Sequence, residues 1–263
     1  MDHQEVGRFW NENAEVWTML AREGYDIYRD HLNTPAFFSI LPEVKNLKGI
    51  DIGCGEGYNT RLLTKKGAFM TGIDISEVFI QKANEAESVS PLNILYKVAS
   101  AVELPFANEQ FDFATGFMSF MDIPEIDKVI KEAYRVLKFN GFLQFSISHP
   151  CFFTRYRINK KDPHGKTYAV EIGDYFNKVN GEIDEWLFTA APKQIKQTLP
   201  KFKVPRFYKT LSEWLNILIE TGFILEKINE PFANDETIIR IPKLQDTQVV
   251  PYFLHIRCRK PKN

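Results

Sequence analysis

The residues with the clearest chemical meaning fall in two short runs, Gly49-Ile-Asp-Ile-Gly-Cys-Gly-Glu-Gly-Tyr58 and Thr71-Gly-Ile-Asp-Ile75. Glycines at 53, 55 and 57 describe a turn where backbone can approach a ligand with no side chain in the way. Asp74 ends the second run, a position from which a carboxylate can accept both hydroxyls of a ribose. Strand, glycine turn, helix and acid-ended strand together read as the opening of a nucleotide-type binding fold. A dinucleotide site wants Gly-x-Gly-x-x-Gly, and Tyr58 stands at the third position of that pattern. A nicotinamide oxidoreductase therefore stays only as an alternative, without its most specific element.

Other side chains could move protons. His149 closes a predicted strand and is the first candidate general base, because imidazole changes charge near neutral pH; the competing reading is a structural histidine that turns the chain into Pro150. Tyr208, Asp122 and Tyr28 are further candidates, and Phe117, Met118 and Phe120 read as pocket walls. Cys54 sits in the glycine turn with no basic neighbour in sequence, so it reads as packing and not as a nucleophile. The five histidines, at 3, 31, 149, 164 and 255, have no ligand spacing, and Cys54, Cys151 and Cys258 form no CxxC pair. No metal site and no disulfide framework is expected, and a reducing compartment fits.

These residues need a frame to hold them. From Lys48 short apolar strands alternate with helices, which calls for a parallel sheet with crossovers. The expected strands cover about 49–53, 68–74, 92–98, 111–116, 141–148, 223–230 and 249–257, with helices at about 57–66, 77–87 and 124–137. Thr210 to Gly222 reads as a helix with an N-cap and a C-terminal glycine. Residues 2–40 look helical, broken near Gly24, and form either packing on the outer surface or a lid. Segment 151–209 is long and aromatic, with Trp186 and Phe188 among its rings, and reads as a substrate-covering insertion. The expected organisation is a single domain: lid 1–44, cofactor core 45–150, insertion 151–209 and a completing segment 210–263.

Composition narrows the partners. With 263 residues, 44% of them hydrophobic, the chain can bury one sizeable core. A net charge of -1 without a basic block argues against nucleic acid. No run is apolar over the ~20 residues that span a bilayer, so a soluble, cytoplasmic protein without a membrane partner is expected. The 22 phenylalanines suggest more ring-lined surface than a plain scaffold needs.

Five separated motifs, Asp51-Ile-Gly-Cys-Gly-Glu-Gly57, Gly72-Ile-Asp-Ile-Ser76, Leu104-Pro-Phe106, Phe111-Asp112 and Arg135-Val-Leu-Lys138 with Gly141, resemble the class I S-adenosylmethionine-dependent methyltransferases, most closely the methyltransferase type 11 group. The resemblance covers about 45–150 and extends to Asn33-Thr-Pro-Ala-Phe37, His149-Pro150 and Leu211-Ser-Glu-Trp-Leu-Asn216. It implies a Rossmann-like α/β fold, a seven-stranded, mostly parallel sheet whose last strand is antiparallel, with an N-terminal helical extension and an insertion after strand five. It implies S-adenosyl-L-methionine as cofactor and S-adenosyl-L-homocysteine as product. Gly53, Cys54, Gly55 and Gly57 would meet the methionine and ribose part, with Asp51 ordering the turn. Asp74 would hold the ribose, Ile75 one adenine face, Ser100 and Ala101 the adenine edge, and Phe117 and Met118 the region of the sulfonium. Two positions depart from the pattern: Ser100 replaces a common Asp, and Leu137-Lys-Phe-Asn-Gly141 replaces Leu-Lys-Pro-Gly-Gly. Tyr208 stands where similar sequences often carry His.

Trp17, Tyr28 and Trp186 are the expected lid and substrate contacts, and the expected activity is in-line methyl transfer to a small-molecule acceptor. A non-catalytic cofactor-binding module is the other reading that the residues allow.

Overall fold

The computed structural model describes residues 1–262; Asn263, the last residue of the expected segment 210–263, lies outside the described residues. The chain opens with α1 (His3–Arg22), whose first turn is fixed by reciprocal hydrogen bonds between Asp2 and Glu5. A π-helical turn, Arg29–Asn33, then leads into α2 (Thr34–Ser39). The alternating core follows: β1 (Lys48–Ile52), α3 (Tyr58–Lys65), β2 (Phe69–Asp74), α4 (Glu77–Val89), β3 (Leu95–Val98), β4 (Phe111–Phe117), α5 (Ile126–Val136) and β5 (Leu137–Ser148). Ser76 caps α4 through its hydroxyl, as its type and position require. β3 starts later than the sequence suggests because Asn93 takes a left-handed backbone, φ 61. β5 starts earlier, at Leu137, and absorbs Asn140 at φ 65, so asparagine does serve where glycine is commoner.

After β5 come β6 (Tyr156–Lys161), β7 (Thr167–Gly173), β8 (Asn180–Trp186), α6 (Lys193–Thr198) and β9 (Phe202–Phe207). β6 pairs with β7 and β8 with β9, both antiparallel. The chain ends with α7 (Leu211–Thr221), β10 (Ile224–Asn229), α8 (Asp235–Arg240), a 3-10 stretch Pro242–Gln248, and β11 (Phe253–Arg259). Thr210 caps α7 and Gly222 closes it in the left-handed region.

Seven strands form one sheet in the order β10-β11-β5-β4-β1-β2-β3. β11 is antiparallel to both β5 and β10, and the other neighbouring pairs are parallel. Both faces are covered. Ile50, Ile52, Leu143 and Phe145 pack against α5 and α7 on one face, through Ile130, Trp214 and Leu218. Met70, Phe113 and Phe142 meet Leu63 and Ile80 of α3 and α4 on the other. A third cluster joins α1 to the insertion through Leu20, Ala21, Phe188, Phe202 and Val204. No helix among the described residues is long and apolar enough to cross a membrane.

Candidate active site

Successive strands run outward from β1 through β2 to β3, then return to β4 beside β1. At such a reversal the loops leaving two adjacent parallel strands diverge and open a crevice at their carboxyl ends. Here the crevice is a cavity of about 520 Å³, within the ~300–1,000 Å³ usual for small-molecule sites.

The glycine turn forms its floor. Gly53 and Cys54 both donate to the Ile73 carbonyl, at 2.8 Å each, which binds the turn to β2. A Cβ at Gly53 would lie 2.4 Å from the Ser119 Cβ, so this glycine makes room for protein. At Gly55, φ 54, an added Cβ would meet nothing within 4 Å, leaving open backbone on the cavity wall. Gly57 does not line the cavity; a Cβ there would strike the Tyr96 hydroxyl at 2.4 Å. Gly57 is needed for the start of α3 and for the close approach of Tyr96.

Two carboxylates are fixed beside this turn. Asp74 accepts from the backbone N–H of Gly55 and of Ser76, 2.9 Å each. Each carboxylate oxygen has two lone-pair sites, so capacity remains for hydroxyl donors on the cavity side. Asp51 accepts from the Thr60 and Thr115 hydroxyls at 2.6 and 2.9 Å. Burial pushes both acids up to about 6. Ile75, Ser100, Ala101, Phe117 and Met118 also line the cavity. Met118 holds φ 53, which a non-glycine residue adopts at a cost, and its N–H donates to the Ser146 carbonyl at 3.0 Å. The Cys54 thiol is held protonated by burial, far above its ordinary value, which agrees with its reading as packing.

The N-terminal segment and the insertion both contribute to the walls. Trp17 and Trp186 line the cavity with ring centroids 5.4 Å apart, and Trp17 lies 4.9 Å from Phe188. The indole N–H of Trp186 is buried without a hydrogen-bond partner among the described residues. Tyr28 lines the cavity as well, donates to Asp246 at 3.1 Å and packs on Tyr252.

His149 is not in this lining. Its ring is 2% exposed; Nδ1 accepts from the Cys151 N–H at 3.2 Å, so Nε2 donates to Glu230 at 2.7 Å. Both nitrogens are occupied, and burial lowers the imidazole below its ordinary value. This geometry favours the competing reading, a histidine that shapes the turn after β5. Tyr208 is also outside the main lining; it borders an adjoining polar cavity of about 290 Å³ with Arg155 and Arg157.

Sequence reasoning gave little weight to several groups that the fold brings in. Arg206 and Asp184 arrive from β9 and β8, a two-stranded pair outside the main sheet. Glu56 accepts from Arg22 of α1 at 2.8 Å and tethers that helix to the glycine turn. Gly7 lies on α1 where a Cβ would come 3.1 Å from the Ile75 side chain, which allows close approach of the helix. No group of three or more His, Cys, Asp or Glu among the described residues is placed to hold a metal.

Open backbone at Gly55, the part-used Asp74 carboxylate and the apolar Ile75 and Ala101 suit a nucleoside bearing a cationic tail. Comparisons with known proteins agree. Residues 50–145 match a family model described as a methyltransferase domain. A Haemophilus influenzae protein without a described function is 27% identical over 239 residues, 87% of this chain and 87% of that one. A ubiquinone biosynthesis O-methyltransferase of Coxiella burnetii is 30% identical over 149 residues, 56% of this chain and 62% of its own length. In fold, the S-adenosylmethionine-dependent methyltransferase structure from Mesorhizobium loti superposes with TM-score 0.69 at 24% identity, covering 86% of this chain and 96% of that one. The seven-stranded sheet and the cavity at the end of β1 give this chain the fold of the S-adenosylmethionine-dependent methyltransferases to which it is similar, with a methyltransferase-domain match over residues 50–145.

Proposed function

We propose that the chain methylates a small, partly apolar molecule held between the glycine turn and a roof of aromatic side chains. The observation that carries this reading is the shared lining: glycine turn, Asp74, α1 and the insertion border one cavity. The name of the Coxiella relative, a ubiquinone biosynthesis O-methyltransferase, supports a small acceptor and an oxygen nucleophile.

In this reading Asp74 holds the ribose hydroxyls, Gly53, Cys54 and Gly55 the methionine end, and Ile75, Ser100 and Ala101 the adenine. Asp51 acts indirectly, through the two threonines that fix the turn. Phe117 and Met118 border the methyl. Bound there, S-adenosylmethionine supplies an electrophilic methyl on a sulfonium. The chain's own work is alignment and exclusion of water, which can supply most of the acceleration of a displacement. Trp17, Tyr28 and Trp186 form the cover. The methyltransferase-domain match over residues 50–145 argues against the nicotinamide alternative.

The test follows a labelled methyl from S-adenosylmethionine into a fractionated cell extract. Label in the small-molecule fraction is expected. Label confined to protein or RNA would overturn the reading, and cofactor binding without transfer to any fraction would favour the non-catalytic module.

A further inference from the structure

His149 lies outside the cavity, and a carboxylate inside it has an arrangement that suits a base. Asp122 ends the 3-10 turn Phe120–Asp122 that follows β4. It lines the cavity and is 5% exposed. Its Oδ1 is buried and has no hydrogen-bond partner among the described residues. Arg206 Nη1 comes only to 3.7 Å, beyond hydrogen-bond reach, because its Nε is committed to Asp184 at 2.9 Å. A buried acceptor left open in a folded protein is costly, and a ligand donor is one way to offset that cost.

The other cavity acids are committed elsewhere. Asp51 and Asp74 are held as described, Asp26 accepts from the Arg29 N–H, and Glu56 accepts from Arg22 through Oε2 while its Oε1 faces Arg29 at 3.8 Å. The position of Asp122 is also fixed. Ser119, at the head of its turn, donates to the Ile52 carbonyl at 2.8 Å and fills the space a Gly53 side chain would take. The turn that carries Asp122 is thereby clamped to the floor of the site.

We infer that Asp122 takes the proton of a phenolic acceptor during methyl transfer, with Arg206 of the insertion as its positioning partner. This rests on the methyltransferase reading. In the step, the acceptor oxygen forms a bond to the methyl carbon as the carbon–sulfur bond breaks, and the electron pair of that bond stays on sulfur. The acceptor's proton passes to the Asp122 carboxylate. Aromatic walls from Phe153, Trp186, Phe188 and Tyr252 suit a ring-bearing acceptor. The charged groups facing Asp122 are Arg206 from β9 and Asp184 from β8. Burial pushes the Asp122 carboxyl up to about 7, with Arg206 opposing the rise, a value suited to a base working near neutrality.

The experiment uses the whole chain at pH 8 and two phenols, 4-ethylphenol, which keeps its proton there, and 4-nitrophenol, which is largely ionised there. Binding of S-adenosylhomocysteine by calorimetry and thermal unfolding are measured in parallel. Asp122→Asn should slow methylation of 4-ethylphenol by about a hundredfold or more, the scale of general base catalysis. It should slow 4-nitrophenol far less and leave product affinity within about twofold. Asp122→Ser serves if the first variant does not fold. Equal loss on both phenols, or 4-ethylphenol turnover close to the wild-type rate, would overturn the assignment. So would a wild-type protein that binds S-adenosylhomocysteine but methylates neither phenol. Absence of S-adenosylhomocysteine binding would instead sink the methyltransferase reading on which it rests.

Discussion

Asn13 on α1 and Lys203 on β9 exchange two hydrogen bonds: the Asn13 carboxamide donates to the Lys203 carbonyl and accepts from its N–H, both at 2.9 Å. A side-chain amide thus does for the edge of β9 what a neighbouring strand's peptide would do. The N-terminal helix and the insertion are tied by a polar clamp as well as by the rings around Trp17. Asn13→Ala should cost about 1–3 kcal/mol, the scale of leaving buried backbone groups unpaired. Hydrogen exchange should show faster opening of α1 and β9 together while β1 and β4 stay protected. Unchanged exchange in β9 would show that the clamp does not couple the two segments.

Asp74 should govern cofactor affinity. Asp74→Ala is expected to weaken S-adenosylmethionine binding by about 1–3 kcal/mol through the lost hydroxyl contacts. The wild-type affinity should also fall as pH drops below about 6, the value to which burial raises the carboxyl, because the protonated acid can no longer accept at both oxygens. Calorimetry from pH 5 to 8 would check this, and a flat profile that matches that of Asp74→Asn would remove the role.

His149→Gln should leave cofactor affinity and turnover within about threefold, since both ring nitrogens serve the turn at Cys151 and Glu230. Its effect should appear in thermal unfolding, as a loss of about 1–2 kcal/mol from broken buried hydrogen bonds. A drop in turnover of a hundredfold with unchanged unfolding would return His149 to the chemistry.

His255 and the buried acids pull stability in opposite directions with pH. Burial lowers His255 from 6.5 to about 3, with its ring held by Asn33 at 2.7 Å. The unfolded chain therefore binds the extra proton between those values, and stability falls as pH drops from about 6.5. Asp26, Asp51 and Asp74 are raised from 3.8 to about 6, so the folded state holds the extra protons there. Their contribution is present at low pH and is lost as pH rises through 6. Denaturant unfolding of His255→Gln at pH 5 and pH 8 should show a smaller acid penalty than in wild type. An equal penalty would show that His255 does not set the acid limb.

The sheet and the position of the glycine turn at its crevice were legible because their signals are local. Gly49 to Ile52 form a continuous buried run, as a strand covered on both faces demands, and Asp74 is the last residue of β2. Ser76, Thr210 and Gly222 announced helix ends through their own chemistry. The insertion was legible only in its length and rings. β6 to β9 are two-stranded and half exposed, so their side chains need not alternate in type. α8 went unread for a similar reason, since it buries no residue. The pairing of Asp122 with Arg206 joins positions far apart in sequence, which no spacing rule connects. His149 was placed correctly at the end of β5, but which way its ring turns depends on Glu230 beyond β10.

β11 lies between β5 and β10, and β10 has no other neighbour in the sheet. A strand made later in synthesis is therefore the only bridge for one made earlier. Lys260, just past β11, reaches the carbonyls of Tyr134 and Leu137 at 3.1 and 2.8 Å and fastens that bridge to the end of α5. While the ribosome is still making β11, β10 has no partner in the sheet and the edge of β5 stays open. Such long-range pairing is slow and leaves a nascent sheet edge exposed to other chains. The nascent protein is thus most prone to stray strand pairing in the interval between emergence of β5 and emergence of β11.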